Sequence, residues 1–176
     1  MIDPAFNTFV AAAFTVLFAV AAVHKVRARA AFVATIAEYR IVPRGLLQPA
    51  GALLIVLEVA LAVGLLWPAT RVACAVLGAS LLLVYGIAIG VNVLRGRRDI
   101  DCGCSFQHRP IGPWMVVRNV ALAVVLLVLT LPLADRTLTA GDITSIVAAL
   151  IVAALLYASL DLLLGRGQVP TNINSG

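Results

Sequence analysis

Charge is scarce in this chain: 12% of its 176 residues are Asp, Glu, Lys or Arg. A water-soluble domain draws about a quarter of its residues from those four types, so a solvated globular surface is excluded. Lysine is almost missing. The basic residues number 13, and all are arginine except Lys25, a bias that fits a GC-rich bacterial genome. No phosphate-binding glycine loop, metalloprotease helix motif or nucleophile elbow occurs, which removes the enzyme classes that those motifs carry. Period-2 alternation is absent, which excludes a membrane β-barrel. No internal repeat is evident.

What the chain has is apolar residues, 62% of the total, with a mean hydropathy of +1.07. A protein of this length cannot hide that much apolar surface from water, so its solvent is lipid. Five apolar runs, at residues 6–23, 46–67, 72–94, 114–133 and 143–164, each approach the length of about 20 residues that a bilayer requires. Backbone groups in lipid must be satisfied within their own segment, which selects helices. The first run is preceded by Met1-Ile-Asp-Pro4, which carries no basic residue, and its apolar core is long for a signal sequence; it reads as a retained helix. The expected fold is an all-α integral membrane protein. It is an antiparallel bundle of about five transmembrane helices, four forming a core and one added, with a short interfacial helix after the first. Residues 1–164 form a single transmembrane domain and 165–176 a disordered cytoplasmic tail rich in Gly, Pro and Asn.

The net charge of +5 does not point to nucleic acid, because the basic residues cluster beside helix ends. Juxtamembrane arginine is explained by lipid headgroups and topology. Eleven basic residues fall on one side of the predicted helices: Lys25, Arg27, Arg29, Arg40, Arg44, Arg95, Arg97, Arg98, Arg109, Arg118 and Arg166. Only Arg71 and Arg136 fall on the other. The positive-inside rule then places the N-terminus outside a bacterial inner membrane and the C-terminus in the cytoplasm. Residues 28–39 carry Phe32, Ile36 and Tyr39 at helical spacing and read as a surface helix, with Pro43 ending it. Trp67 and Trp114 suit the membrane–water interface. His24 and Lys25 close the first helix as an interfacial, snorkelling pair.

The one strongly polar stretch between helices is Asp99-Ile-Asp-Cys-Gly-Cys-Ser-Phe-Gln-His108. Cys102 and Cys104 can bridge only across a bent backbone, which Gly103 permits. A strained ring of that size is easily reduced. The start of the next helix near Pro113, with Arg98, Arg109 and His108, favours a thiolate, while Asp99 and Asp101 oppose it. A cytoplasmic pair cycles rather than serving as a permanent bridge. Metal binding by Cys102, Cys104 and His108 is the alternative; three ligands fall short of structural zinc but suit a softer ion. Cys74 lies at the opposite face and reads as a packing residue. Glu58 sits in the middle of the second span, where a carboxylate is a functional candidate by default; Asn92, Asn119 and Tyr85 are its candidate partners. Gly86-Ile-Ala-Ile-Gly90 permits close helix packing.

Taken together, these features resemble the methylamine-utilisation MauE family, which is distantly similar to DoxX-like membrane proteins. They are His24-Lys25 with the amphipathic segment after it, Tyr39-Arg-Ile-Val-Pro43, Glu58, Asp101-Cys-Gly-Cys104 and Arg118-Asn119. Where the family pattern has Phe-Gly after the second cysteine, this chain has Ser105-Phe106. The resemblance implies thiol–disulfide handling in the maturation of exported proteins, with Cys102, Cys104 and Glu58 as site residues. It also implies membrane lipids and a thioredoxin-like protein as partners, and it implies no cofactor. The competing reading is a non-catalytic accessory subunit of a larger inner-membrane complex, such as a transporter. Soft-metal binding is the third.

Overall fold

The structure is a computed structural model and describes residues 1–97 and 111–166, with the backbone alone at 157 and 160–166. Among these residues it is all-α, with one isolated bridge between Ile2 and Leu133. Helix α1 spans Pro4–Arg27, α2 Arg29–Tyr39, α3 Leu47–Gly64, α4 Pro68–Leu94, α5 Pro113–Leu127 and α6 Ala140–Arg166. Single 3₁₀ turns at Arg44–Leu46 and Val128–Thr130 lead into α3 and extend α5.

The helix ends follow from local chemistry. Asp3 caps α1 by accepting the Ala5 amide at 2.7 Å, and Pro4 stands in the first turn, where its missing N–H costs nothing. Pro68 and Pro113 open α4 and α5 in the same way. Thr139 and Asp142 cap α6 reciprocally: the Asp142 carboxylate accepts the Thr139 amide at 2.8 Å, and the Thr139 hydroxyl accepts the Asp142 amide at 3.3 Å. Helix α2 ends at Tyr39 because Arg40 takes a left-handed backbone, φ 49°, so the helix stops three residues before Pro43.

Four helices, at Pro4–Arg27, Arg44–Gly64, Pro68–Leu94 and Pro113–Thr130, are long and apolar enough to span a membrane; α6 adds an apolar stretch over Ala140–Leu156. The expected four-helix core plus one is therefore present. Helix α1 packs on α3, α4 packs most extensively on α5, and α6 rests on α1. Phe14, Phe18, Leu65, Leu82 and Leu126 fill the centre of the bundle. Val56, Leu77, Val124 and Leu155 are more than half exposed, an outward face that lipid would cover. Helix α6 runs through Arg166, two residues past the expected end of the last span. The tail from 167 to 176 lies outside the described residues.

Two faces result. The N-terminal face gathers residues 1–3, the α3–α4 hairpin and the α5–α6 connection. Ile2 donates to the Pro132 carbonyl at 2.8 Å, Arg136 bonds Asp3 and Asp142, and Arg71 donates to buried Asn7 at 2.8 Å. The opposite face carries α2, the approach to α3, the end of α4 and the start of α5. There Ile111 is buried against Ile89, Tyr39 and Val93. Trp67 and Trp114, one at each face, are both at least half exposed.

Small residues let the helices approach. On α4, Gly86 and Gly90 face Asn119 and Val116 of α5, so the G-x-x-x-G motif serves the bundle's own interior. Gly64 of α3 lies so close to α4 that an added β-carbon would collide with the Cys74 sulfur. Cys74 is thus the packing residue that its position suggests. Gly64→Ala should destabilise the detergent-solubilised protein by about 1–3 kcal/mol, the usual cost of overpacking. Adding Cys74→Ala should recover most of that loss, because the remaining β-carbons would meet at 3.8 Å. Thermal unfolding of the two variants and the parent checks both expectations.

Candidate functional site

Five polar side chains are buried among the described residues: Asn7, Lys25, Glu58, Asn92 and Asn119. Lys25 and Glu58, each 1% exposed, form an ion pair through Nζ and Oε1. Lys25 comes from the last turn of α1 and Glu58 from the middle of α3, so the pair ties those helices together inside the bundle. Tyr85 of α4 donates its hydroxyl to the same Glu58 oxygen at 2.8 Å, which brings in a third helix.

The surroundings of Lys25 explain how a lysine tolerates this position. Its ammonium lies 5.3 Å from the ring centroids of both Phe32 and Tyr85. Two aromatic faces and one carboxylate oxygen replace the water that the cation gave up. Phe32 belongs to α2, which folds back immediately after α1 and seats against Gly51 of α3 through Phe32, Val33 and Ile36. A side chain at Gly51 would meet Val33 at 3.2 Å, so the missing β-carbon there lets α2 close over the pair.

The second carboxylate oxygen, Glu58 Oε2, is buried and has no hydrogen-bond partner among the described residues. A buried acceptor left unpaired costs about 1–3 kcal/mol, and such exceptions concentrate where a site works. Of the three partners expected for Glu58, Tyr85 is one. Asn92 and Asn119 instead donate to carbonyls of their own helices, Ala88 at 3.0 Å and Met115 at 2.7 Å. Asn92 Oδ1 is a second buried acceptor without a partner among the described residues. Asn92 and Tyr85 stand seven residues apart on α4 and so share a face, with Asn92 two turns nearer the opposite face of the bundle.

Lys25 corrects the expectation of a snorkelling residue. A lysine at a helix end ordinarily extends toward headgroups, but here α2 covers it and Glu58 draws it inward. The signals that bear on it, that it is the chain's one lysine and that a mid-span carboxylate needs compensation, do not by themselves place it inside the bundle. The cysteine segment, with Cys102, Cys104 and His108, lies outside the described residues. Its flanks do not, and Arg97 and Ile111 both stand on the face that Lys25 approaches. Arg97 is tied there by donating to the Glu38 carbonyl at 3.3 Å. Among the described residues, no three His, Cys, Asp or Glu side chains gather to hold a metal ion.

The model of the family described as methylamine utilisation protein MauE matches residues 3–132. The chain belongs to the MauE family. It is 35% identical to the methylamine utilization protein MauE of Methylophilus methylotrophus over 93% of this chain and 88% of that one. It is 36% identical to the MauE protein of Paracoccus denitrificans over 88% and 85% of the two chains. With the MauE protein of Paracoccus versutus, it shares 37% identity over 94% and 88%. No solved structure matches the chain. The likeness to MauE proteins therefore extends beyond residues 20–130, where the motifs lie, and includes most of α6.

Breaking the Lys25–Glu58 pair on one side should destabilise the protein by about 3–5 kcal/mol, because the survivor is left as an uncompensated buried charge. Lys25→Met and Glu58→Leu should each show this loss. The double variant should recover most of it. Tyr85→Phe should cost about 1 kcal/mol, the value of one hydrogen bond. Unfolding in a mild detergent, read as a double-mutant cycle, measures all three.

Proposed function

We propose that this MauE-family protein is an inner-membrane thiol–disulfide redox protein that supports the maturation of exported proteins together with a thioredoxin-like partner. The observation that carries the reading is the sequence Asp101-Cys-Gly-Cys104, which lies in a connection whose two flanks stand on the face approached by the Lys25–Glu58–Tyr85 cluster. In the exchange, a thiolate of the pair attacks the partner's disulfide and forms a mixed disulfide, expelling the partner's other sulfur as thiolate. The second cysteine then displaces the first partner sulfur. Two electrons and the two thiol protons pass to the partner, which leaves reduced, and Cys102 and Cys104 are joined. The reverse sequence restores the thiols.

Glu58 takes part through its position. Held by Lys25 and Tyr85, it keeps α1, α3 and α4 in register, and its second oxygen is an acceptor for a moving proton. The name of the relatives, methylamine utilization protein, makes a methylamine-related cargo one candidate for this chain.

The same reading sets the topology. One transmembrane domain covers 1–164, with the N-terminus outside and the cysteine connection and the tail 165–176 in the cytoplasm. Lys25 is neutralised by Glu58 and drops out of the charge count, which still favours this orientation by ten arginines to two. A membrane-impermeant thiol reagent applied to intact cells should label a cysteine placed at position 140 and leave Cys102 unlabelled, in a Cys74→Ser background. The opposite pattern contradicts the orientation.

Cys102→Ser and Cys104→Ser should each abolish redox function, and the surviving cysteine should trap a mixed disulfide with its partner. Cys74→Ser should do neither. If both serine variants support wild-type maturation and the pair stays reduced in every redox buffer, the thiol reading fails. Recovery of a stoichiometric membrane complex would then establish the accessory-subunit reading.

A further inference from the structure

Between the end of α2 and the start of α3 the surface forms an open hollow of about 860 Å³, lined by Glu38, Arg40, Ile41, Val42, Arg44 and Leu47 among others. That volume falls within the range of small-molecule sites, about 300–1,000 Å³. The hollow exists because of a backbone irregularity. Arg40 has φ 49° and ψ 37°, the left-handed region that a residue with a β-carbon enters at a cost. The reversal it produces turns the chain out of α2, so that Arg40 and Arg44 line one concavity. Neither side chain makes a hydrogen bond or ion pair among the described residues. Such local strain around two guanidinium groups is a reason to look for a ligand.

The lining has a definite charge pattern. Two guanidinium groups and one carboxylate, that of Glu38, give the hollow a net charge of one positive unit. Guanidinium is the side chain best shaped for a phosphate oxygen pair, and a lone carboxylate beside it suits a hydroxyl donor. Depth decides where such a ligand comes from. Arg44 is the first residue of the membrane-length segment Arg44–Gly64, so the hollow opens at headgroup level. Below it, Leu46 and Leu53 of that segment are 55% and 59% exposed, and Leu57 follows on the same side. These residues offer an apolar track along which an acyl chain can lie.

We infer that this hollow is a binding site for the headgroup of an anionic glycerophospholipid, its phosphodiester held by Arg40 and Arg44 and a headgroup hydroxyl held by Glu38. The site is separate from the Lys25–Glu58–Tyr85 cluster and does not depend on the thiol chemistry. It goes further than a general attraction of basic residues to lipid, because it requires one lipid with a phosphate and a donor in defined positions.

Native mass spectrometry of the full chain, released from mild detergent with equal amounts of phosphatidylglycerol and phosphatidylcholine, tests the inference. The two lipids share the phosphodiester, but the choline headgroup carries a compensating charge and no donor. Wild-type protein should retain one phosphatidylglycerol in preference to phosphatidylcholine. Arg40→Asn with Arg44→Gln should bring phosphatidylglycerol retention down to the phosphatidylcholine level; asparagine tolerates the left-handed backbone, so the turn is kept. Arg136→Gln, on the N-terminal face, should retain the lipid as wild type does. Unchanged helicity and melting in the double variant separate loss of the site from loss of the fold. Equal retention of both lipids by wild type overturns the inference, as does undiminished phosphatidylglycerol retention by the double variant. Displacement of the lipid by free glycerol phosphate would also overturn it, by showing that a soluble phosphate ester suffices and no lipid is required.

Discussion

An ammonium and a carboxylate cannot stand alone in the interior of an apolar bundle, and that constraint organises one half of this molecule. Neither Lys25 nor Glu58 retains water, so each must find its compensation in the other and in the groups around them. The consequence is mechanical as well as electrostatic. Glu58 can meet Lys25 only if α1 and α3 run side by side at this register. Tyr85 reaches the shared oxygen only if α4 lies against both. Lys25 is enclosed only if α2 reverses and places Phe32 over it. A contact between two side chains thus fixes the arrangement of four helices.

The rest of the bundle is assembled differently. In lipid there is little hydrophobic gain in bringing helices together, and close packing takes its place. Gly64 against Cys74, Gly78 beneath Phe18 and Leu126, and Gly86 against Asn119 mark the places where α3, α4, α1 and α5 approach most closely. At the N-terminal face the polar contacts are shallower. The Arg136 pairs with Asp3 and Asp142 are partly open to solvent, and surface pairs contribute little. The molecule is therefore asymmetric along its helices. One face is closed by short connections and surface contacts, while toward the other, where Arg97 and Ile111 stand, a charge pair is buried.

Much of this was legible because lipid is a strict solvent. The five apolar runs, the short helix after the first and close packing at Gly86 and Gly90 follow from length, period and residue size, and the helices lie where those properties put them. Glu58 was conspicuous for the same reason, as a carboxylate in the middle of an apolar run, and Tyr85 was among its plausible partners. Lys25 was not legible as a buried residue. Its sequence position at a helix end describes a side chain free to reach the surface, and its burial arises only when α2 folds back. Asn92 and Asn119 misled in the other direction, since each donates its side-chain N–H to a carbonyl of its own helix. The hollow beside Arg40 depends on one left-handed backbone angle, which an arginine does not announce.

The proposed chemistry depends on α4 and α5, whose ends flank the cysteine segment in sequence, being held in place by the bundle that the Lys25–Glu58 pair ties together. The most direct measurement is the alkylation rate of Cys102 in the lipid-embedded protein, compared among wild type, Glu58→Leu and Lys25→Leu with Glu58→Leu, all in a Cys74→Ser, Cys104→Ser background. If the pair positions the helices that bear the connection, the single variant changes the rate and the double variant returns it toward wild type. An identical rate in all three would contradict the account, because the cysteine would then be indifferent to the interaction from which its surroundings are argued to follow.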